Sequence, residues 1–361
     1  MLIRHFATLL LLSLGGILFF NAYSPVHGGN LSVDTLDQKI AKIVAYGALA
    51  PSTHNAQMWR IKTVAADTIR LLLDDRHLLP QVDPQNRESM ISLGAFIENM
   101  AEAAPFFGLQ AEVLILTRDP HAREIAEIKF HPLTSPLLDK SVLNNIQNRH
   151  TIRTPYLRQA LRQSDWQWLK TLGPDFHYFA VPGKEGAIIQ TAIIAATKKQ
   201  VANDAKQREL AGMFRFSKQE AERTKDGLTP EGMGLSGIAK WFVATFFNRD
   251  TVMTPSFRNQ TVAVVKKQVN NCSGFLVLTA ADSSVAALID CGRNLERFLI
   301  MATGKKLAVH PMSAPLEENP WKETFSQPLA LEQPVQMILR IGYVKNYGQS
   351  VSQRRPLEIA Q

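Results

Sequence analysis

Helix-like and strand-like patterns alternate along this chain without the regular strand–helix–strand rhythm of a doubly wound sheet. A hairpin is predicted at Trp59–Val64 and Thr68–Asp74, because two largely apolar or alternating runs flank a polar turn. The strongest helical pattern, Arg87–Ala104, carries apolar residues on one face and is followed by Pro105. This mixture predicts an α+β fold.

The same criteria predict the remaining elements. Helices are predicted at Asp34–Leu49 with Asp34 as its N-cap, Leu137–Gln147, Leu157–Leu172, Lys184–Asn203, Gly237–Phe247 and Val285–Gly304. Strands are predicted at Gln110–Thr117, Glu124–Phe130, His177–Val181, Gly274–Ala280, Lys306–His310 and Val335–Gly342.

An uncharged run near the N-terminus predicts a targeting segment. Arg4 and His5 precede Phe6–Phe20, which reads FATLLLLSLGGILFF. This pattern is typical of a secretory signal peptide or a single membrane anchor within residues 1–28, although the run is short for a full span. The alternative is a buried N-terminal helix. The first interpretation predicts that the globular part is periplasmic, or anchored to a membrane outside the cytoplasm.

The net charge of +8 has three explanations: a nucleic acid, an anionic membrane surface or an anionic cofactor. The basic residues are spread along the chain without an arginine-rich run, which argues against nucleic-acid binding. The nine histidines lack metal-binding spacing, so we expect no metal site. Cys272 and Cys291 lie outside any Cys-x-x-Cys motif, and both a disulfide and two buried thiols remain open.

One glycine pattern does not fit its usual interpretation. Gly232–Gly237 matches G-x-G-x-x-G, but a dinucleotide site needs a buried strand just before that motif. The preceding residues read ERTKDGLTPE and are too polar for such a strand. We therefore predict a surface lid at about residues 215–247 instead.

Three short polar segments carry groups suited to a phosphorylated cofactor. The first, Pro51–Trp59, collects hydroxyl, amide and imidazole side chains just after a predicted helix end. The second, Asn148–Arg153, offers guanidinium groups whose forked donors match a phosphate, together with a threonine hydroxyl. The third is the basic segment Gln353–Arg355. Taken singly, each has a simpler explanation as a polar turn, a solvated loop or a basic tail.

Together these segments resemble motifs of the FMN-dependent nitroreductase family. Arg149–Arg153 is similar to the family's Arg-x-Ser-x-Arg/Lys phosphate motif, and Pro51–Trp59 to its Pro-Ser-Ser-x-Asn-x-Gln-Pro-Trp motif. Ile341–Tyr343 followed by Arg354–Glu358 resembles the C-terminal pattern, and Gly292–Ser313 the late helix and strand. The phosphate motif here follows the Pro-Ser motif, which is the reverse of the family's order. That reversal resembles the Acg-like branch, in which two nitroreductase-like halves are fused.

The resemblance implies two pseudo-symmetric halves, residues 29–147 and 148–361, each with a mainly antiparallel sheet flanked by helices. It implies one FMN per chain, because the first half lacks its own phosphate motif, and NAD(P)H as an electron donor. The second half would hold the phosphate, while the first half would contact the ring. A homodimer is a further arrangement that the resemblance allows.

The resemblance also assigns roles to individual residues. It places Arg149, Thr151, Arg153, Arg354 and Arg355 at the phosphate, His150 beside the ring or ribityl chain, a backbone N–H near Ser313 or Ala314 at flavin N5, and Ser52, Thr53 and Asn55 at the ring. No side chain is expected to act as a catalytic acid or base, since the flavin itself carries the redox chemistry.

The function implied is that of an oxidoreductase that passes hydride to a nitro, quinone or similar small-molecule acceptor. Export favours a second interpretation, a flavin-binding or flavin-sequestering protein with little turnover, because nicotinamide cofactors are scarce outside the cytoplasm. A third is a membrane-surface protein that uses its positive charge.

Overall fold

The computed structural model describes residues 34–135, 139–357 and 359–360. The predicted signal peptide or anchor at residues 1–28 lies outside these ranges. Within them, no helix combines the length and the apolar character needed to cross a bilayer.

The helices and strands follow one another along the chain without a repeating unit. The α-helices are α1 (Leu36–Gly47), α2 (Arg87–Ala103), α3 (Ser141–Asn148), α4 (Gln163–Leu169), α5 (Lys184–Ala202), α6 (Asp204–Met213), α7 (Lys218–Thr224), α8 (Gly237–Phe246), α9 (Arg249–Met253), α10 (Pro255–Val269), α11 (Val285–Gly304) and α12 (Trp321–Thr324). The strands are β1 (Trp59–Ala65), β2 (Thr68–Leu73), β3 (Leu109–Ile115), β4 (Glu124–Pro132), β5 (Phe176–Ala180), β6 (Gly274–Thr279), β7 (Ala308–Pro311), β8 (Val335–Gly342) and β9 (Ile359–Ala360).

Two sheets form the scaffold. The first has the order β3-β4-β2-β1-β9, with antiparallel pairing throughout except that β9 joins β1 in parallel. The second has the order β5-β6-β8-β7 and is antiparallel. The predicted α+β class is therefore confirmed. Because β9 pairs with β1, the C-terminal tail returns to the first sheet, close to the predicted Pro51–Trp59 segment.

The second sheet is buried on both faces. Leu276 and Leu278 of β6 pack into the core that contains the first sheet, α2 and α11. The alternate residues Phe275 and Val277 pack into a second cluster with α5. One hydrophobic core thus includes residues from both sides of position 148, and the boundary we predict there between two halves stays a prediction.

Helices α2 and α11 approach each other closely at two glycines. A Cβ atom at Gly94 would lie 2.1 Å from the backbone oxygen of Ile289, and one at Gly292 would lie 2.0 Å from that of Ile91. Only hydrogen at these positions permits such a crossing. Since α2 precedes the second half in sequence and α11 belongs to it, this contact joins the two sheets into one core.

Several predicted helix boundaries differ from the observed ones, and two of the differences have a clear physical cause. The N-cap of α1 is Thr35 instead of Asp34, and its side chain accepts a hydrogen bond from the backbone N–H of Gln38 in a capping box. The predicted helix Leu157–Leu172 shortens to α4, because Leu157 donates its N–H to the carbonyl of Tyr343 beyond β8. That contact draws the chain along the second sheet before a helix can begin.

The two cysteines are buried free thiols. Burial raises the pKa of Cys272 to about 11 and that of Cys291 to about 12, so both thiols stay protonated at neutral pH.

Candidate functional site

The three polar segments singled out in the sequence meet at one cleft. Its open volume is about 50 Å³. The lining residues are Pro51, Ser52, Asn55, Arg149, His150, Thr151, Arg153, Gly227, Leu228, Thr229, Gly232, Ser352 and Arg354. This set holds three arginines and no carboxylate, so the cleft is suited to an anion.

The first wall of the cleft is a turn in an unusual backbone conformation. A short 3₁₀ turn, Thr53–Asn55, follows α1, and His54, Asn55 and Gln57 all have φ between 50° and 57°. Residues other than glycine seldom adopt such angles, and they persist where surrounding contacts hold them. One such contact is the 2.9 Å hydrogen bond from Gln57 N–H to Ser52 Oγ. The turn therefore presents its polar side chains from a fixed backbone.

The C-terminal tail forms the second wall. Asn55 Nδ2 donates to the carbonyl of Gln353 (3.1 Å), and Arg354 Nη1 donates back to Asn55 Oδ1 (2.8 Å). Arg354 Nη2 also donates to the carbonyl of Leu49 (3.0 Å). These bonds join residues about three hundred positions apart, and they bring one guanidinium group to the edge of the turn.

The loop after α3 forms the third wall. Arg149 Nη2 donates to the carbonyl of Leu49 (3.0 Å), the same oxygen that Arg354 contacts. Arg153 Nη1 donates to the carbonyl of Gly232 (2.8 Å) in the predicted lid. Burial lowers the pKa of Arg153 to about 10, with nearby Tyr156 opposing that change, so it remains a cation at neutral pH. The two arginines thus hold positive charge on the same side of the cleft.

A buried carboxyl group under the cleft was missed in the sequence. Glu296 of α11 is fully buried, and its Oε1 lies 3.2 Å from Arg149 Nε. Burial raises the pKa of Glu296 to about 8, although Arg149 and Arg354 act to lower it. A signal was available: Glu296 falls on the apolar stripe of α11 that includes Leu295 and Leu299.

Glu296 should make the stability of the fold depend on pH. Its pKa is about 8 in the folded chain against an ordinary value of 4.5, so the folded state holds the proton more tightly. This contribution is full below the ordinary pKa and is lost as the pH rises towards 8, at about 1.4 kcal/mol per pH unit. We expect Glu296→Gln to remove this slope from the free energy of unfolding, measured by denaturant titration between pH 5 and 8.

Glu112→Gln is the matched control for that measurement, because this carboxylate is largely exposed. It should keep the wild-type dependence on pH. Parallel curves for wild type and Glu296→Gln would contradict the assignment.

Four of the predicted site residues do not line this cleft. Thr53 Oγ1 donates to Glu88 (2.9 Å), and Ser313 Oγ contacts Met337 Sδ while accepting the N–H of Ile338 (3.2 Å). The other two are placed as follows: Ala314 begins a short 3₁₀ turn, and Arg355 pairs with Asp226 (2.8 Å) and donates to the carbonyls of Ala56 and Gln57.

Burial affects two histidines near the cleft in the same direction. His150 lines it, and its two ring nitrogens lie 2.7 Å and 2.9 Å from the carbonyls of Asn148 and Tyr347. Burial lowers the pKa of His150, and a neutral ring can donate to one of the two carbonyls. Burial lowers the pKa of His54 to about 4, so His54 is neutral at physiological pH.

Comparison with known proteins identifies relatives of the whole chain. No family model matches it. Over 340 residues it is 23% identical to a Mycobacterium tuberculosis protein named "Putative NAD(P)H nitroreductase acg", covering 88% of this chain and 94% of the relative. Over nearly its whole length, the chain therefore resembles the Acg-like branch of the nitroreductase family.

Other relatives match the chain over shorter stretches. It is 26% identical over 128 residues to a Serratia protein named "Probable NAD(P)H nitroreductase PigM", covering 34% of this chain and 36% of that protein. A solved structure, the FMN-dependent nitroreductase NfnB from Mycobacterium smegmatis in complex with NADPH, shares 14% identity at a TM-score of 0.34, covering 57% of this chain and 88% of NfnB.

Proposed function

We propose that this chain binds FMN and acts as an oxidoreductase, accepting hydride from NAD(P)H and passing it to a nitro, quinone or similar acceptor. The observation that carries the proposal is the meeting of Arg149, Arg153 and Arg354 with the Ser52–Asn55 turn at one cleft. The relatives named as NAD(P)H nitroreductases support the donor and the class of reaction.

The groups present fit the phosphate of FMN. A phosphate monoester carries close to two negative charges and accepts hydrogen bonds at three oxygens. Arg149, Arg153 and Arg354 supply positive charge, and the Thr151 hydroxyl can donate. Among the residues that the structure describes, no carboxylate lines the cleft to compete with the phosphate. Glu296 lies beneath Arg149, and its raised pKa keeps it largely neutral at pH 7.

The ring needs more room than the cleft offers in this conformation. Small-molecule pockets commonly enclose about 300–1,000 Å³, whereas the open volume here is about 50 Å³. The segment from Gly227 to Gly232 closes one side. Arg153 donates to its Gly232 carbonyl, while Gly227 donates its N–H to the Asn55 carbonyl and accepts from Asn55 Nδ2. Entry of the flavin therefore requires this segment to move, in keeping with the lid predicted at residues 215–247.

The residues around the cleft would bind and orient the cofactor. Arg149, Arg153, Arg354 and Thr151 would hold the phosphate, with Ser52 and Asn55 on the side of the ring. His150, which is held between two carbonyls, would flank the ribityl chain or the ring. When bound, FMN would supply hydride transfer at N5.

The remaining assignments stay proposals. Thr53, Arg355 and the backbone at Ser313 and Ala314 lie outside the cleft as it stands, and contact with the flavin would require the site to rearrange. Arg355 serves the site in another way, because its ion pair with Asp226 fixes the tail that carries Arg354. A periplasmic or membrane-anchored location and a homodimer are likewise proposed.

The absorbance spectrum of the purified full-length protein tests the proposal. We expect flavin bands with about one FMN released per chain on denaturation, and oxidation of NADPH when a nitroaromatic or quinone is added. A colourless protein that takes up no added FMN would overturn the proposal. One flavin per chain without turnover would replace the oxidoreductase with the flavin-sequestering alternative.

A further inference from the structure

Helix α8 presents an apolar face to solvent. Ile238, Trp241 and Phe246 expose 76%, 60% and 57% of their surface, and Phe242 exposes 39%. These positions follow the i, i+3, i+4, i+8 spacing that places side chains on one helix face. The rings of Trp241 and Phe242 each contact that of Phe246, at centroid distances of 5.7 Å and 5.0 Å. The exposed face is therefore one continuous aromatic surface.

The opposite face of α8 is already used within the fold. Val243, together with Phe247 just after the helix, packs against a small cluster that contains Phe214 and Phe216. The aromatic face therefore points away from this cluster, against which the other side of the helix packs with half-buried side chains. Large exposed apolar patches commonly mark interaction sites.

The charge of the surrounding segment favours an anionic partner. Residues 214–270 contain nine lysines or arginines against five aspartates or glutamates, a net charge of +4, which is half that of the whole chain. On α8 itself the charged residue is Lys240, which contacts Glu231. An aromatic helix face within a basic segment is typical of helices that lie in a membrane interface.

We propose that the aromatic face of α8 docks on the surface of a bilayer that contains anionic lipid. The uncharged run Phe6–Phe20 in the same chain would keep the protein at such a surface. Gly232 lines the cleft and is five residues before α8, a span of about 17 Å at most. Docking of α8 on the bilayer would therefore hold the candidate cleft near molecules dissolved in the lipid. The inference does not depend on FMN.

Trp241 reports on this contact in the full-length chain. Vesicles of phosphatidylcholine with phosphatidylglycerol, carrying brominated acyl chains, are mixed with wild type and with Trp241→Phe. The difference between the two emission spectra isolates Trp241. We expect the emission of Trp241 to shift to shorter wavelength on vesicles and to be quenched by bromine. Apparent binding should be ~10-fold weaker on vesicles of phosphatidylcholine alone.

A matched control moves the reporter to another exposed apolar position. Leu114 of β3 exposes 60% of its surface, so Leu114→Trp in the Trp241→Phe chain should stay unquenched. Three results would overturn the proposal: no vesicle binding, binding that leaves Trp241 open to aqueous quenchers, or equal quenching on the two lipid mixtures. Trp241 could also become protected from aqueous quenchers without vesicles, as the protein concentration rises. That result would assign the aromatic face to contact with a second copy of the chain instead.

Discussion

Arg149→Met is expected to lower the affinity for FMN at least ~100-fold, because it removes charge-assisted hydrogen bonds to the phosphate. Among the described residues, the Arg149 guanidinium donates to Leu49 and faces Glu296, and its remaining donors are available to a ligand. The variant should fold, because Glu296 without its cation can stay protonated: its pKa is already about 8 beside Arg149. Titration calorimetry of FMN into the apoprotein measures the change.

A comparison with riboflavin, which lacks the phosphate of FMN, isolates the contribution of the phosphate to binding. Wild type should bind riboflavin much more weakly than FMN, and Arg149→Met should narrow that difference, since Arg153, Arg354 and Thr151 remain at the phosphate. Arg158→Met is the matched control, because Arg158 is exposed in the same loop and contacts Asn271 outside the cleft. Full FMN affinity in Arg149→Met, or an equal loss in Arg158→Met, would place the phosphate elsewhere.

Gly292→Ala is expected to lower the free energy of unfolding by about 3 kcal/mol or more. The added Cβ would lie 2.0 Å from the backbone oxygen of Ile91 and 2.9 Å from its Cα, so α2 and α11 would have to separate. Backbone atoms cannot move aside as the end of a flexible side chain can. The gain of up to about 1 kcal/mol in helix propensity is too small to offset this clash. Denaturant unfolding of the two proteins measures the difference.

Gly212→Ala is the matched control for that substitution. Gly212 also lies in a helix, α6, but a Cβ there would meet no atom within 4 Å. It should leave the stability unchanged or raise it by about 1 kcal/mol. If Gly292→Ala were as stable as Gly212→Ala, the close crossing of α2 and α11 would be wrong.

Local patterns predicted most of the elements because each depends on neighbouring residues alone. The bounds of α11 and β8 match the predictions Val285–Gly304 and Val335–Gly342, and the first hairpin is shifted by a residue at its ends. The helix predicted from Leu157 failed because its backbone bonds to Tyr343, almost two hundred positions away. No window of local sequence contains that contact.

The candidate site was likewise predicted only in part from the sequence. Residue types suggested an anion site, because anion recognition needs guanidinium and hydroxyl donors. The family resemblance then singled out Ser52, Asn55, His150, Thr151 and three of the arginines. Glu296 was not predicted, because a carboxyl group in an apolar stripe acquires its raised pKa only from the surroundings that bury it.

What the sequence by itself determined is the set of helices and strands, the α+β class and the donor groups of the cleft, since periodicity and side-chain chemistry are properties of the chain. Tertiary structure alone decided which donors face the cleft. Arg354 lines it, whereas its neighbour Arg355 pairs with Asp226, because only the assembled fold brings Asp226 and the cleft beside these two positions. The pairing of β9 with β1 positions that tail, and pairing between distant strands is settled only when the whole core assembles.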